Sequence, residues 1–369
     1  MIGSARRRKD FLAWAAVGIL LTGVLLVQAE TKALRAIGND FTAYLDAARA
    51  LAHGHNPYLA SERFPYSYPL TLAWLLIPLS YFPLWLATAG WFAVSVYAYW
   101  RVVNVAAVGE DGRVPLSGGP IALAIVMAVA LLQIVQNELL NGQVNLVVCA
   151  ISLAAITLSQ RGKPVPAAML WGSGIALKLF PLILGPWFLL RRRWTELFLG
   201  GSIAVALALV PVLWTGSDAL HWTTDYLRRM AGEAGNPAVP DFIHLNLAWT
   251  IGHQLAHPNA AAWLLFGIPV LCVGLAMLAD AKRGLEHGVR AAAGYLALVV
   301  LLSPKSETHH MIFTVPAAVV LAACARTWTR VAALGALIVI FNIGYVTPAV
   351  RDPFLLLFAL GVAAWCIAE

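Results

Sequence analysis

The stretch "FLAWAAVGILLTGVLLVQAETKALRAIGNDFTAYLDAARALAHGHNPY", residues 11–58, decides the fold class. Its first part, Phe11 to Ala29, carries no charge and matches the roughly 20 residues needed to cross about 30 Å of hydrocarbon. The flank "ARRRK" before it suggests a signal peptide, but the apolar core is too long and no small-x-small site precedes Glu30. A retained first span over 11–29 is therefore expected. The second part reads differently. Asn39 is suited to cap a helix and Gly54 to stop one, which predicts four turns over 40–53, too polar to cross and lying along the membrane surface. Asp40 takes the first helical position, where the dipole and unpaired N–H groups favour the ionised carboxylate. On that helix Asp40, Tyr44, Ala47 and Leu51 share one face, while Asp46, Arg49 and His53 point away. An Asp here can also simply stabilise its own helix terminus, so the segment alone leaves a functional and a structural role equally open.

The rest of the 369-residue chain follows the apolar part: 60% of residues are apolar, 12% are charged and the mean hydropathy is +0.76. Soluble domains carry about a quarter charged residues, so an all-α, polytopic membrane protein is implied, one domain over 1–369. Apolar runs near 11–29, 81–101, 119–136, 144–159, 195–215, 260–281, 286–303, 311–325, 328–345 and 353–367 predict about ten crossings, up to about twelve. Two stretches, 69–79 and 165–190, are too short or too broken by Pro69, Lys178 and Pro181, and are expected as half-helices or a re-entrant hairpin. The net charge of +7 falls between apolar runs, where it sets orientation and implies no nucleic-acid partner. A cytoplasmic N-terminus in a multi-pass cell (inner) membrane protein leaves about twice as many Lys and Arg inside as outside. That orientation sends 30–68, 137–143, 216–259 and 303–310 to the extracytoplasmic side. Cys149, Cys272, Cys324 and Cys366 lie in apolar runs without CxxC spacing and read as small buried hydrophobes.

Polar residues gather on that outer side. In "LLQIVQNELLNGQVNLVVCA", 131–150, the polar residues Glu138, Asn141 and Gln143 interrupt an apolar hairpin, and Asn141-Gly142 is a turn signal. Polar side chains on both sides of that turn need partners or a water-filled cavity. In "GSGIALKLFPLILGPWFLLRRRW", 172–194, Lys178 sits inside an apolar stretch at a cost of about 2.5–3.5 kcal/mol, so an anionic partner is expected and a headgroup at a half-helix end fits. Snorkelling is weaker as an explanation because apolar flanks extend both ways. In "LLSPKSETHHMIF", 301–313, Pro304 breaks the helix and His309 and His310 crowd the break. Adjacent histidines lie about 100° apart on a helix and no HExxH pattern occurs, so a phosphate-facing cluster or plain interfacial residues fit better than zinc.

The segments "DFTAYLDAARALAHGHNPY", "YSYPLTLAWLLIPLSYFP", "NGQVNLVV", "GIALKLFPLIL" with "RRRW", and "LLSPKSETHH" together resemble, in order, glycosyltransferase family 87, the polyprenyl-phosphate-mannose-dependent α-mannosyltransferases of GT-C fold. The resemblance runs from about 36 to 313. It departs at Asn246-Leu247-Ala248, where the family usually shows Asn-Gln-Ser, and at Glu307-Thr308, where an aromatic residue is usual. The resemblance implies a membrane enzyme that moves a hexose, mannose foremost, from a polyprenyl-phosphate donor to a glycolipid or glycan acceptor outside the cell membrane. Asp40 matches the position of the catalytic base. Lys178, His309 and His310 match positions suited to the donor phosphate, with Tyr44, Glu138, Asn141, Gln143 and Asn246 as further substrate-binding candidates. No cofactor and no metal ligand set is implied. A transporter or flippase of lipid-linked sugars is the rival reading; it predicts an internal hydropathy repeat, which the sequence does not display.

Overall fold

The computed structural model describes residues 2–61, 64–108, 119–234, 260–282, 288–303 and 308–324, with a few positions near 332–335 and 359–367. The expected crossing at 328–345 lies almost wholly outside the described residues, that at 353–367 is described only at 359–364 and 366–367, and Asn246 lies outside them entirely. Among the described residues the chain is helical throughout, without a strand.

Helix α1, Ile2–Ala33, contains the expected first span. The surface helix α2, Asp40–Ala52, follows, then a 3₁₀ turn at Pro57–Leu59 and the short α3, Leu70–Ser80, entered through Pro69. Next come α4 (Leu84–Val108), α5 (Gly119–Ala130), α6 (Leu132–Asn141), α7 (Asn145–Gln160) and α8 (Pro164–Leu177). A 3₁₀ turn, Phe180–Leu184, leads into α9, Gly185–Leu190, and α10, Trp194–Thr215. The remaining helices are α11 (Asp218–Ala234), α12 (Ala260–Lys282), α13 (Gly288–Leu302) and, after a 3₁₀ segment at Thr308–Thr314, α14 (Val315–Cys324).

Three described helices, α1, α4 and α10, are long and apolar enough to cross a bilayer, and the α5–α6 pair qualifies if its 93° bend lies within one span. Others, including α7, α8 and α13, are apolar but only 10–17 residues long. Hydropathy counts the runs at 119–136, 144–159 and 286–303 as full crossings because it cannot see where a helix bends or stops. The run at 119–136 is divided at Leu131, and the run at 165–190 is divided after Leu177.

The second break is the expected half-helix arrangement. Lys178 is extended (φ −160, ψ 133), ending α8, and two freed groups find partners: the Lys178 N–H donates to Gly174 O at 3.0 Å, and Trp171 Nε1 donates to Pro181 O at 2.8 Å. Broken backbone inside an apolar layer survives only with such compensation. A buried bidentate pair, Arg191 to Asp280 at 2.7 and 2.9 Å, ties α9 to α12, and Tyr295 of α13 donates to the same carboxylate at 3.3 Å.

Helix α2 forms as its sequence predicts. Asn39 Oδ1 accepts from the Thr42 N–H at 3.0 Å while Thr42 Oγ1 accepts from the Asn39 N–H at 2.9 Å, a reciprocal cap. Gly54 follows the helix at φ +73. Tyr44, Ala47 and Leu51 are buried, whereas Asp46 and Arg49 form an exposed pair at 2.9 Å. The helix is then fastened across the fold: Asn39 Nδ2 donates to Leu140 O at 3.0 Å, and Phe41 stacks on Trp91 at 5.5 Å, whose Nε1 donates to Gly142 O at 2.8 Å.

Gly142 is the tightest point of this contact. Its φ is +62, and a Cβ there would lie 2.6 Å from Phe41 Cβ. Gly142→Ala is expected to cost about 2 kcal/mol and to displace the start of α2. Thermal unfolding in detergent measures the first effect; an unchanged midpoint contradicts it.

Candidate functional site

The polar residues singled out in the sequence converge on a seam beneath the start of α2. From α1, Lys32 Nζ donates to Asn141 Oδ1 at 2.6 Å, and Asn141 Nδ2 donates to Asn137 O and Oδ1 at 2.8 and 2.6 Å. Asp40 is partly exposed at the head of α2 and lies within Coulombic reach of Lys32, Tyr44 and Glu138. Its place follows from local structure, because the Asn39 cap that starts the helix is itself bonded to the last turn of α6. Tyr44, one turn further on the same face, donates to Gln143 Oε1 at 3.1 Å, and Tyr68 donates to the same oxygen at 2.6 Å. Burial foremost, then the neighbouring Tyr68 and Asp40, pushes the Tyr44 phenol well above its ordinary range, so it stays a neutral donor.

Glu138 stands deeper. It has no exposed surface, and its two oxygens accept from Asn145 Nδ2 at 3.0 Å and the Leu146 N–H at 3.1 Å. Both carboxyl oxygens of this expected substrate-binding residue are thus engaged with neighbouring protein groups. The polar groups flanking the Asn141-Gly142 turn have thus found the partners that burial requires.

Lys178 occupies the break after α8 and is only 9% exposed. Its Nζ donates to Asn145 Oδ1 at 2.6 Å, meets His310 Nε2 at 3.0 Å, and sits 4.8 and 4.4 Å from the ring centres of Tyr68 and Phe180. The side chain does not snorkel. The Glu138 carboxyl group stands one residue removed, beyond Asn145. His309 packs against His310 at 4.3 Å between ring centres, and His310 meets the edge of Phe180 at 4.9 Å.

One seam therefore unites Asp40, Tyr44, Glu138, Asn141, Gln143, Lys178 and the histidine pair. It also contains Lys32, Tyr68, Asn145 and Phe180, which sequence reasoning did not assign. Tyr68 carried a signal, standing in the "YSYPL" segment, and Asn145 stood among the polar residues of the hairpin. Lys32 looked like an ordinary basic residue after a span. Chemically, the seam offers a carboxylate near a buried ammonium, a histidine pair and several oriented amide and phenol groups. A shallow depression lined by Asp46, Arg49, His55 and Asn56 lies on the other, solvent-facing side of α2 and contains none of these groups.

Residues 66–304 match glycosyltransferase family 87. The match contains Glu138, Asn141, Gln143 and Lys178, whereas Asp40, Tyr44 and the histidine pair flank it. The chain is 29% identical over 216 residues to a polyprenol-phosphate-mannose-dependent alpha-(1-2)-phosphatidylinositol mannoside mannosyltransferase of Mycolicibacterium smegmatis, covering 55% of this chain and 47% of that protein. It is 28% identical over 294 residues to a polyprenol-phosphate-mannose-dependent alpha-(1-2)-phosphatidylinositol pentamannoside mannosyltransferase of Mycobacterium tuberculosis, covering 75% and 64%. GPI mannosyltransferase 1 of Aspergillus oryzae is 30% identical over 183 residues, covering 47% and 42%. The matched region thus spans about half to two thirds of the bacterial relatives' length.

Proposed function

The chain belongs to glycosyltransferase family 87, and on that premise we propose that it transfers a hexose, mannose foremost, from a polyprenyl-phosphate donor to the hydroxyl of a lipid-anchored glycan. The two bacterial relatives named above are named for polyprenol-phosphate-mannose dependence and for phosphatidylinositol mannoside acceptors, which supports both halves of the reading. The Lys and Arg bias supports an extracytoplasmic site.

The observation that carries the proposal is Lys178, a buried ammonium that stands beside the histidine pair in the same seam as the Asp40 carboxylate. Transfer from such a donor needs little else. Asp40 takes the proton of the acceptor hydroxyl as its oxygen attacks the anomeric carbon from the face opposite the phosphate. The bond between that carbon and the phosphate oxygen breaks, its electron pair leaves with the phosphate, and the sugar inverts. Lys178 and one of His309 or His310 stabilise the growing charge on the leaving phosphate, in surroundings where water screens it poorly. Tyr44, Asn141, Gln143 and, from the sequence, Asn246 complete the substrate surface. The prenyl chain of the donor is assigned to the side of the break at 178–184, where the helix is interrupted next to Lys178.

Purified protein given polyprenyl-phosphate mannose is expected to release polyprenyl phosphate only when a glycolipid acceptor is present, in equal amount with mannosylated product. Release without acceptor would point to hydrolysis of the carrier, and movement of the donor across a vesicle without release would point to a flippase; either overturns the proposal.

A further inference from the structure

Glu138 is a buried ionisable group of the seam to which the reaction above gives no role. Its oxygens face N–H groups of Asn145 and Leu146, at 3.0 and 3.1 Å. Neither of these groups can accept a hydrogen bond, so both carboxyl oxygens serve here as acceptors. Asn145 is as fully buried as Glu138 and bonds to charged groups at both ends.

An amide has one donor end and one acceptor end. With Nδ2 committed to Glu138, Oδ1 must face the other way, and there it receives Lys178 Nζ at 2.6 Å. An ammonium can only donate, so His310 Nε2, 3.0 Å from the same nitrogen, is the accepting atom, and the ring proton of His310 belongs on Nδ1. Rotating the Asn145 amide by half a turn would oppose its NH₂ to the ammonium and its oxygen to the carboxylate. Glu138 forbids that rotation.

We infer that Glu138 is a positioning residue: acting through Asn145, it aims the Lys178 ammonium and fixes the tautomer of His310 at the donor phosphate. The inference rests on the donor reading above. The alternative is that Glu138 serves only to cap α7 through the Leu146 N–H, in which case its loss affects stability and leaves anion recognition intact.

The experiment measures the affinity of detergent-purified protein for polyprenyl phosphate in wild type, Glu138→Gln, Lys178→Met and the double variant. Glu138→Gln cannot accept from both N–H groups without turning an NH₂ toward one of them. It is expected to weaken binding about tenfold or more, the order of one charge-assisted hydrogen bond. In the Lys178→Met background it is expected to add nothing further, since the group it aims is gone. An equal loss in both backgrounds, or no loss in either, overturns the inference. Asn145→Ala cuts the link while leaving Glu138 on the Leu146 N–H, and the same loss is expected; it decides the matter where Glu138→Gln does not fold. A ligand-independent arm follows the ring nitrogens of His310 by ¹⁵N NMR of histidine-labelled protein. In wild type Nε2 is expected unprotonated, with its signal shifted in Glu138→Gln and Asn145→Ala. If wild type fails to bind polyprenyl phosphate while the His310 signal still responds to Glu138, the donor reading falls and the positioning stands. If His310 is indifferent to both variants, the positioning falls.

Discussion

Asp40→Asn is expected to lower sugar transfer by about 10²–10⁴-fold while polyprenyl phosphate binds as tightly as to wild type. Asparagine preserves volume and polarity and removes only the capacity to take a proton. The structure makes this a clean substitution, because α2 is capped by Asn39 and Thr42, not by Asp40. Lys32, which feels the Asp40 charge, keeps its bond to Asn141 at 2.6 Å. The substitution also removes the favourable charge at the helix N-terminus, worth about 0.3–1 kcal/mol. Single-turnover transfer and equilibrium lipid binding, measured on the same preparation, separate the two effects. Transfer that survives the substitution removes Asp40 from the role of base; binding that disappears with transfer reassigns it to the substrate surface.

The second large effect belongs to the cation. Lys178→Met should reduce kcat/KM for the donor by about 10²–10³-fold, the usual consequence of deleting one group that stabilises a leaving oxyanion. Its effect on stability is expected to be small in comparison. Deleting the ammonium leaves Asn145 Oδ1 and His310 Nε2 without their donor, at about 1–3 kcal/mol each, but it also abolishes the desolvation cost of a buried charge. These terms oppose one another. Lys178→Arg is not expected to rescue, because a planar fork must fit where a compact ammonium sits 4.4 and 4.8 Å from two ring centres. Donor titration of both variants at saturating acceptor is the test, and wild-type kcat/KM in Lys178→Met would contradict the leaving-group role.

The local parts of this site were written in the sequence and the long-range parts were not. Asn39, Asp40 and Gly54 announce α2 because capping and helix termination act over a few residues, and the helix begins and ends within a residue of the expected bounds. Pro181 and Lys178 announce a break because neither belongs inside an apolar helix. The number of full crossings was less legible: nothing at Leu131 marks the 93° bend, since a leucine there is as apolar as its neighbours. The protein groups that meet Lys178 were not legible: Asn145 Oδ1 and His310 Nε2 stand 33 and 132 residues away in sequence. Helical periodicity carries no information across such separations. Glu138 and Gln143 were recognisable as polar groups that require partners, but their roles depend on which atom meets which, and side-chain rotation decides that only after packing.

The spacing of these contacts along the chain also governs biosynthesis. Asn39 is joined to Leu140 across 101 residues, and Lys178 to His310 across 132. Membrane helices enter the bilayer largely in order and associate afterwards. The ammonium at 178 is therefore inserted long before the ribosome has made the imidazole that receives its hydrogen bond. Until then the hydrogen bond to His310 is missing, and a nascent chain halted anywhere before residue 310 holds an unfinished pocket. Quality-control proteases that sense exposed polar groups within the bilayer would meet this protein at that stage, so substitutions in the early half of the network should reduce its abundance as well as its turnover.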